Sequence, residues 1–212
     1  IINCTHTHTA PQITDNIFYP PVPAGVMTPE EYAVLFVARV GEAVAEAWKN
    51  RKPGGISFGL GTAVVGHNRR ATYFDEVGAR INEEAAGRYA SGYTKMYGNT
   101  NDPNFSHIEG YEDHYVDLMF TWSKARKLTG VIVNLACPSQ ETEGDYYVSA
   151  DFWHEVRTEI RKRHGKNIQV LPQCSPAGDQ SPHLMWYKKA EQRMLELRCH
   201  DMRHEIGRRV AS

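Results

Sequence analysis

Gly130-Val131-Ile132-Val133-Asn134-Leu135-Ala136-Cys137 is an almost continuous apolar run. A run of this length and composition reads as a central strand. Shortly before it, Val116, Leu118, Phe120 and Trp122 alternate with Asp117, Met119 and Thr121, the period of a half-buried strand. With a turn region at 123–130 between them, the pair predicts a β-hairpin feeding a central strand.

Downstream of the hairpin lies a polar loop, 138–148. Ser149 is then expected to cap a helix, with Asp151 in its first turn. Phe152, Trp153, Val156 and Ile160 make the buried stripe of that helix, and His164-Gly165 ends it. Arg157, Arg161, Lys162 and Arg163 form a basic outer face that no aromatic residue interleaves, so it reads as solvated and not as a nucleic-acid surface. A short strand at 168–171 leads into Cys174-Ser175-Pro176-Ala177-Gly178-Asp179-Gln180-Ser181-Pro182-His183. A last helix, 187–210, has Leu195, Cys199, Met202 and Ile206 as its core line. Its His200 and His204 are spaced i, i+4 and are read as surface residues.

Upstream, Thr28-Pro29-Glu30-Glu31 has the form of a helix start: Thr28 at the N-cap, Pro29 at N1 and Glu31 at N3 of a capping box. The helix should run to about Lys49. Val34, Val37, Gly41, Val44 and Trp48, widened by Leu35, Phe36, Val40 and Ala43, predict a helix covered on most sides. Residues 56–65 alternate, with Ile56, Phe58, Leu60 and Val64 on one face and Ser57, Gly59, Gly61 and Ala63 on the other. A small-residue face allows close approach of another backbone or a ligand. This strand empties into Gly66-His67-Asn68-Arg69-Arg70, where the arginines could clamp an anion or a carbonyl, or form a solvated basic turn. Residues 71–112 show no clear period; His107 and His114 near their end read as solvated. Strands and helices thus alternate as β, α, β, ββ, α, β, α, an α/β fold with a mixed β-sheet and packed helices. Sites in such sheets gather at strand ends.

The chain has 212 residues, 41% apolar and 23% charged, with a formal net charge of -1. That balance gives no electrostatic reason to expect nucleic acid or an anionic membrane as a partner. No apolar run approaches the ~20 residues of a transmembrane segment. Cys4, Cys137, Cys174 and Cys199 are widely spaced and form neither a zinc ribbon nor a disulfide framework. Ile1-Ile2 at one end and Val210-Ala211-Ser212 at the other are expected to be cut points, making residues 1–212 a piece truncated at both ends.

Thr5-His6-Thr7-His8-Thr9-Ala10-Pro11 holds two histidines two residues apart. If residues 1–5 end a strand, both imidazoles leave it on one face, positioned for one metal ion or one substrate carbonyl. A Thr-rich loop with two solvated histidines has the same pattern. Ser181, on the loop after the last strand, is a candidate nucleophile or substrate anchor, although Gly-Asp-x-Ser-Pro is also plain turn chemistry.

Four segments together resemble the N-terminal catalytic domain of the neutral/alkaline, non-lysosomal ceramidases. Residues 5–11 are similar to that family's T-H-T-H-S-G/A-P, and Asn68-Arg69 to its N-R pair after a strand. Val148-Ser149-Ala150-Asp151 is similar to V-S-G-D, and residues 178–183 to G-D-V-S-P-N, all in the family's order. The resemblance implies part of a larger catalytic domain of a zinc-dependent amidase. His6 would bind zinc, His8 would contact the reacting amide and Arg69 the substrate, with Ser181 as nucleophile or anchor and Gly178 and Asp179 beside the substrate. His8 and Arg69 would stabilise the oxyanion and move protons. It also implies a small-molecule or lipid amide substrate, an extracytoplasmic location, and completion of the site by the rest of the polypeptide.

Two departures stand out. The family's second zinc histidine follows the central strand, where this chain has Asn134-Leu135-Ala136-Cys137-Pro138-Ser139-Gln140, so Cys137, Gln140 or Glu141 could substitute. The family's remaining ligands, a Glu and a Tyr, fall beyond Ser212. The alternative is a non-catalytic homologue that binds a lipid, glycan or partner protein. A metallo-β-lactamase-type site lacks its Asp-His after the HxH pair, and the chain is too short for a ~250-residue (β/α)8 barrel. The site reading predicts that His6, His8 and Ser181 face one cavity with Arg69 at its rim.

Overall fold

A computed structural model of the chain describes residues 2–14, 20–80 and 90–212. The hairpin forms as expected. β7 (Tyr115–Ser123) and β8 (Leu128–Leu135) pair antiparallel, with Val116 opposite Leu135 and Phe120 opposite Val131. β8 also pairs in parallel with β9 (Gln169–Cys174), and β7 pairs with β1 (Gly54–Thr62), giving the order β1-β7-β8-β9. The crossover from β8 to β9 is α2 (Trp153–His164), as a parallel connection requires.

Burial of one sheet face holds the fold together. Val131, Val133 and Leu135 of β8, Val116 of β7 and Val170 of β9 pack against Phe152, Trp153, Val156 and Ile160. The stripe read for α2 is therefore its core face, and Gly165 caps its end. Its start differs from the expectation. Phe152 is the N-cap with no side-chain bond, and Ser149 instead accepts from Asp151 N (3.1 Å) in the loop before the helix.

The last helix is two. α3 (Lys188–Arg198) and α4 (Met202–Val210) are separated at Cys199, whose φ of 54° ends the first, and Asp201 caps the second by accepting from His204 N at 3.0 Å. Met202 and Ile206 reach the core as expected, while Cys199 is exposed at the break. α4 packs closely on α2: a Cβ on Gly207 would meet the Glu155 backbone at 2.8 Å. Glu205 is buried beneath four cationic or imidazole partners, Arg208 (2.7 Å), Arg209 (2.9 Å), His200 (3.0 Å) and Arg198 (3.3 Å). Burial pushes its carboxyl up, but the hydrogen bonds from Arg208 and Arg209 win and hold it at about 2.

The opposite sheet face is open. Phe58, Met119, Ile132 and Leu171 align across the four strands on that side, and Ile56, Phe58, Leu60 and Leu171 are exposed. The small residues of β1 face the packed side, where a Cβ on Gly59 would lie 3.1 Å from the Phe120 ring. The close approach expected from Gly59 is thus to the protein's own aromatic side chain.

α1 (Pro29–Lys49) has the full capping box, with Glu31 N donating to Thr28 Oγ1 (3.2 Å) and Thr28 N to Glu31 Oε2 (2.9 Å). The expected cover is not found. Pro29 is its one buried residue, and Val34, Val37, Val44 and Trp48 are exposed. Capping is a local property; cover needs a second surface, and none among the described residues supplies it.

Within 71–112, the described residues 71–80 and 90–112 are more ordered than their pattern predicts. β3 (Arg70–Tyr73), β4 (Ala90–Ser91), β5 (Thr94–Met96) and β6 (Phe105–Ile108) form a sheet in the order β4-β5-β3-β6. Strands of two to four residues are too short to show a period. A last pair, β2 (His67–Asn68) with β10 (Gln180–Ser181), sets His67 opposite Ser181 and joins the loop after β1 to the loop after β9.

Candidate active site

The N-terminal segment is not a strand: residues 2–7 have no regular structure and His6 has φ 54°. Tertiary hydrogen bonds hold it instead. Ser139 donates to Thr5 O from its N (3.2 Å) and Oγ (2.7 Å), Ser149 N donates to Thr9 O (3.0 Å), and the Thr9 and Ser149 hydroxyls are 2.7 Å apart. The His6 and His8 rings stack with centroids 5.3 Å apart. They are paired as expected, by docking onto the loops after β8 and not by strand alternation.

Asp151 sets the loop after β8. Its buried carboxylate accepts from Thr142 N (2.8 Å), Thr142 Oγ1 (2.9 Å), Glu141 N (3.2 Å) and Phe152 N (2.7 Å). This presents Gln140 to the site. Arg69 Nη1 donates to Gln140 Oε1 (3.3 Å), so the amide's NH2 faces His8 Nε2 at 3.0 Å. Guanidinium N–H groups only donate, which orients the amide, and the amide then makes His8 Nε2 an acceptor. The His8 proton accordingly sits on Nδ1, 2.9 Å from Glu143 Oε2. Imidazole backed by carboxylate is the arrangement of an oriented base. His8 and Glu143 open onto a cavity of about 510 Å3 that Thr7, Pro11, Ile13 and Tyr146 also line, large enough for part of a substrate.

Arg69 lies at the centre of the network and not at a rim, being 7% exposed. Besides Gln140, its side chain donates to Tyr97 OH (3.0 Å) and Gly178 O (2.9 Å). Tyr97 OH in turn donates to Ser181 Oγ (3.1 Å), which also accepts from His183 N (3.1 Å). Gly178 and Asp179 support the arginine: Asp179 O accepts from Arg69 N (2.8 Å) and its carboxylate from Asn68 Nδ2 (3.0 Å). Ser181 is fully buried, and none of its hydrogen bonds among the described residues is to an imidazole ring or a carboxylate. His8, Arg69 and Ser181 are therefore linked through Gln140 and Tyr97, but His8 alone of His6, His8 and Ser181 lines the cavity beside Glu143. His107 is exposed and bonds Ser106, as a solvated histidine does.

Of the residues that could replace the missing histidine, Gln140 reaches His8. Cys137 is buried in the core, and burial pushes its thiol well up, away from the thiolate that binds metals. Glu141 lies 3.8 Å from His183, and burial, helped by the charges of Asp151, Glu191 and Asp201, raises its carboxyl to about 8. A carboxyl raised in the folded state keeps its proton when the unfolded chain has lost it. Between about pH 4.5 and 8 this term therefore destabilises the fold as pH rises. Glu141→Gln is expected to flatten that slope and to add on the order of 3 kcal/mol at pH 8, read from urea unfolding at pH 5 and pH 8. A variant whose stability falls with pH as steeply as the parent would contradict it.

Burial, His8 and Arg69 all lower the basicity of His6, favouring the neutral imidazole that binds metals. As a single ligand His6 fits a zinc ion. As a complete shell its surroundings do not, because Arg69 brings a positive charge and the only three-ligand group among the described residues is elsewhere. That group is His67, Glu112 and His114, whose ligand atoms lie within 4.8 Å of one another. Glu112 accepts from His67 and from Asn68 N (3.3 Å) and pairs with His114. His114, expected to be solvated, is part of this group and pairs with Glu112; the spacing Glu112-x-His114 is the one pattern that could have pointed to it, and His67, 45 positions from Glu112, offers none.

No family model matches the chain, and no curated protein does. Solved structures do. Neutral ceramidase from Pseudomonas aeruginosa is similar over 86% of this chain and 25% of its own, with TM-score 0.55 and 16% identity. The fold is ceramidase-like. A second structure, a ceramidase complexed with C2, matches over the same shares with TM-score 0.54 and 15% identity. The chain spans about a quarter of the length of these ceramidase-like neighbours.

Proposed function

We propose that this chain supplies part of the catalytic domain of a ceramidase-like hydrolase that cleaves the amide bond of an N-acyl lipid or a related small molecule. The observation that carries the reading is the continuous network His8–Gln140–Arg69–Tyr97–Ser181, which joins segments far apart in the chain. In this reading the substrate sits in the cavity beside His8 and Glu143, with its carbonyl displacing the Gln140 amide from His8. His8 Nε2 takes a proton as water adds to the carbonyl carbon, with Glu143 stabilising the imidazolium. Arg69 and Tyr97 lie behind the developing oxyanion and orient the amide that binds it. The C–N bond then breaks and His8 returns the proton to the leaving amine. Ser181 acts as an anchor for Tyr97, consistent with its burial and its two incoming donors.

The test is release of fatty acid from an N-acyl amide by the parent protein and by His8→Ala and Tyr97→Phe. The reading expects the first variant to lose at least ~100-fold in kcat and the second less, since only a phenol hydrogen bond goes. Equal turnover in parent and His8→Ala would overturn it. The incomplete ligand set at His6 favours one second reading, a non-catalytic homologue that binds a lipid amide; saturable binding without fatty-acid release would establish that one instead.

A further inference from the structure

We propose that His67, Glu112 and His114 form a binding site for one divalent cation with the preferences of zinc, separate from His6, which clamps β2 to the start of β7. The inference is independent of the hydrolase reading. His67 Nδ1 stands 3.1 Å from one oxygen of Glu112, and His114 Nε2 stands 2.9 Å from the other. Zinc–ligand bonds of ~2.0–2.2 Å put the corners of a tetrahedron roughly 3.3 Å apart. Each imidazole meets a different oxygen of Glu112, and one ligand atom from each residue lies within 4.8 Å of the others, so side-chain shifts of about an ångström close them to that spacing. Two imidazoles and one carboxylate suit a borderline cation, whereas calcium and magnesium prefer oxygen alone.

The backbone holds all three donors before any ion arrives. His67 is buried in the β2–β10 pair. His114 O accepts from Ala63 N at 2.9 Å, and Asn68 N fixes the Glu112 carboxylate at 3.3 Å. Outward, Glu112 and His114 border a cavity of about 430 Å3 with Thr62, Val64 and Tyr115, which gives an ion a route in and room for water as its fourth ligand. Arg69 follows His67 by two residues, and Ser181 pairs with it across the ladder. An ion here stiffens the frame on which both are mounted, a supporting role comparable to outer-shell groups in other sites.

The competing account is an ion-free carboxylate shared between two imidazoles, and zinc titration separates the two. The full 212-residue chain, stripped with a chelator, is titrated with zinc chloride by calorimetry, with bound zinc counted after dialysis. The expectation is one equivalent bound, with affinity at least ~10-fold weaker in His114→Ala and in Glu112→Gln and unchanged in His6→Ala. Zinc should also raise the melting temperature of the parent and not of His114→Ala, whose half-exposed side chain leaves the core intact. No zinc uptake, uptake unchanged in both ligand variants, or uptake lost in His6→Ala would each overturn the assignment.

Discussion

Arg69→Met is expected to destabilise the protein by about 3–5 kcal/mol and to abolish any turnover at the site. The guanidinium is buried, and its removal strips donors from three acceptors at once: Tyr97 OH, Gln140 Oε1 and Gly178 O. Hydrogen bonds from a charged donor contribute ~1.5–3 kcal/mol each, and a buried acceptor left bare adds its own cost. Methionine fills much of the volume, so the loss reports polar contacts more than a cavity. Arg69→Lys is expected to recover less than half of the stability, since one ammonium on a flexible stem cannot reach three acceptors in a planar fork. Urea unfolding of the two variants checks this. A lysine variant as stable as the parent would mean that charge alone matters at this position.

Asp151→Ala is expected to cost about 3–4 kcal/mol. Four donors converge on the Asp151 carboxylate, three of them backbone N–H groups, and alanine leaves them buried without a partner. For a chain of this size the loss corresponds to a fall in Tm on the order of 10 °C. The effect should also spread along the loop: the amides of Glu141 and Thr142 should exchange hydrogen faster. Gln140 should lose its hold on His8, whose histidine ring resonances by NMR would then shift. Asp151→Asn keeps the shape but offers one acceptor oxygen, so an intermediate loss is expected. Unchanged exchange at Glu141 and Thr142 in the alanine variant would show that the loop is held by something else.

Legibility of the fold tracked how local each feature is. The α1 capping box, the β7–β8 hairpin and the α2 stripe are set by neighbours within a few residues, and all three were readable. The strand after α2 was readable in place, though shorter than β9. Failures came where a partner distant in sequence decides the outcome. α1 has an apolar face that the described residues leave uncovered, and residues 187–210 conceal a break that only the Cys199 φ and the Asp201 cap reveal. Ser149 has the composition of a helix cap, yet its hydroxyl is spent on Thr9, 140 positions away.

The candidate site divides along the same line. His8, Arg69 and Ser181 stood out as residue types in suggestive loops, and the structure links them. Their links, Gln140 and Tyr97, were not predicted as such, because an amide and a phenol acquire their roles from what they bridge. Gly178 and Asp179, expected beside the substrate, both hold Arg69 through backbone carbonyls: Gly178 O accepts from the guanidinium and Asp179 O from Arg69 N. Glu143, His67 and Glu112 gained meaning only from the histidines beside them.

From composition and pattern alone, this protein had an α/β architecture, its central hairpin, the helix that crosses to β9 and a set of polar residues at strand ends. Tertiary structure alone decided which sheet face is packed, that the N-terminal histidines are presented by a docked loop, and that Gln140 completes the link from His8 to Arg69. The physical reason is range. Backbone propensity and hydrophobic period act within a few residues, whereas hydrogen-bond partners and burial are settled by segments that meet only when the chain has folded.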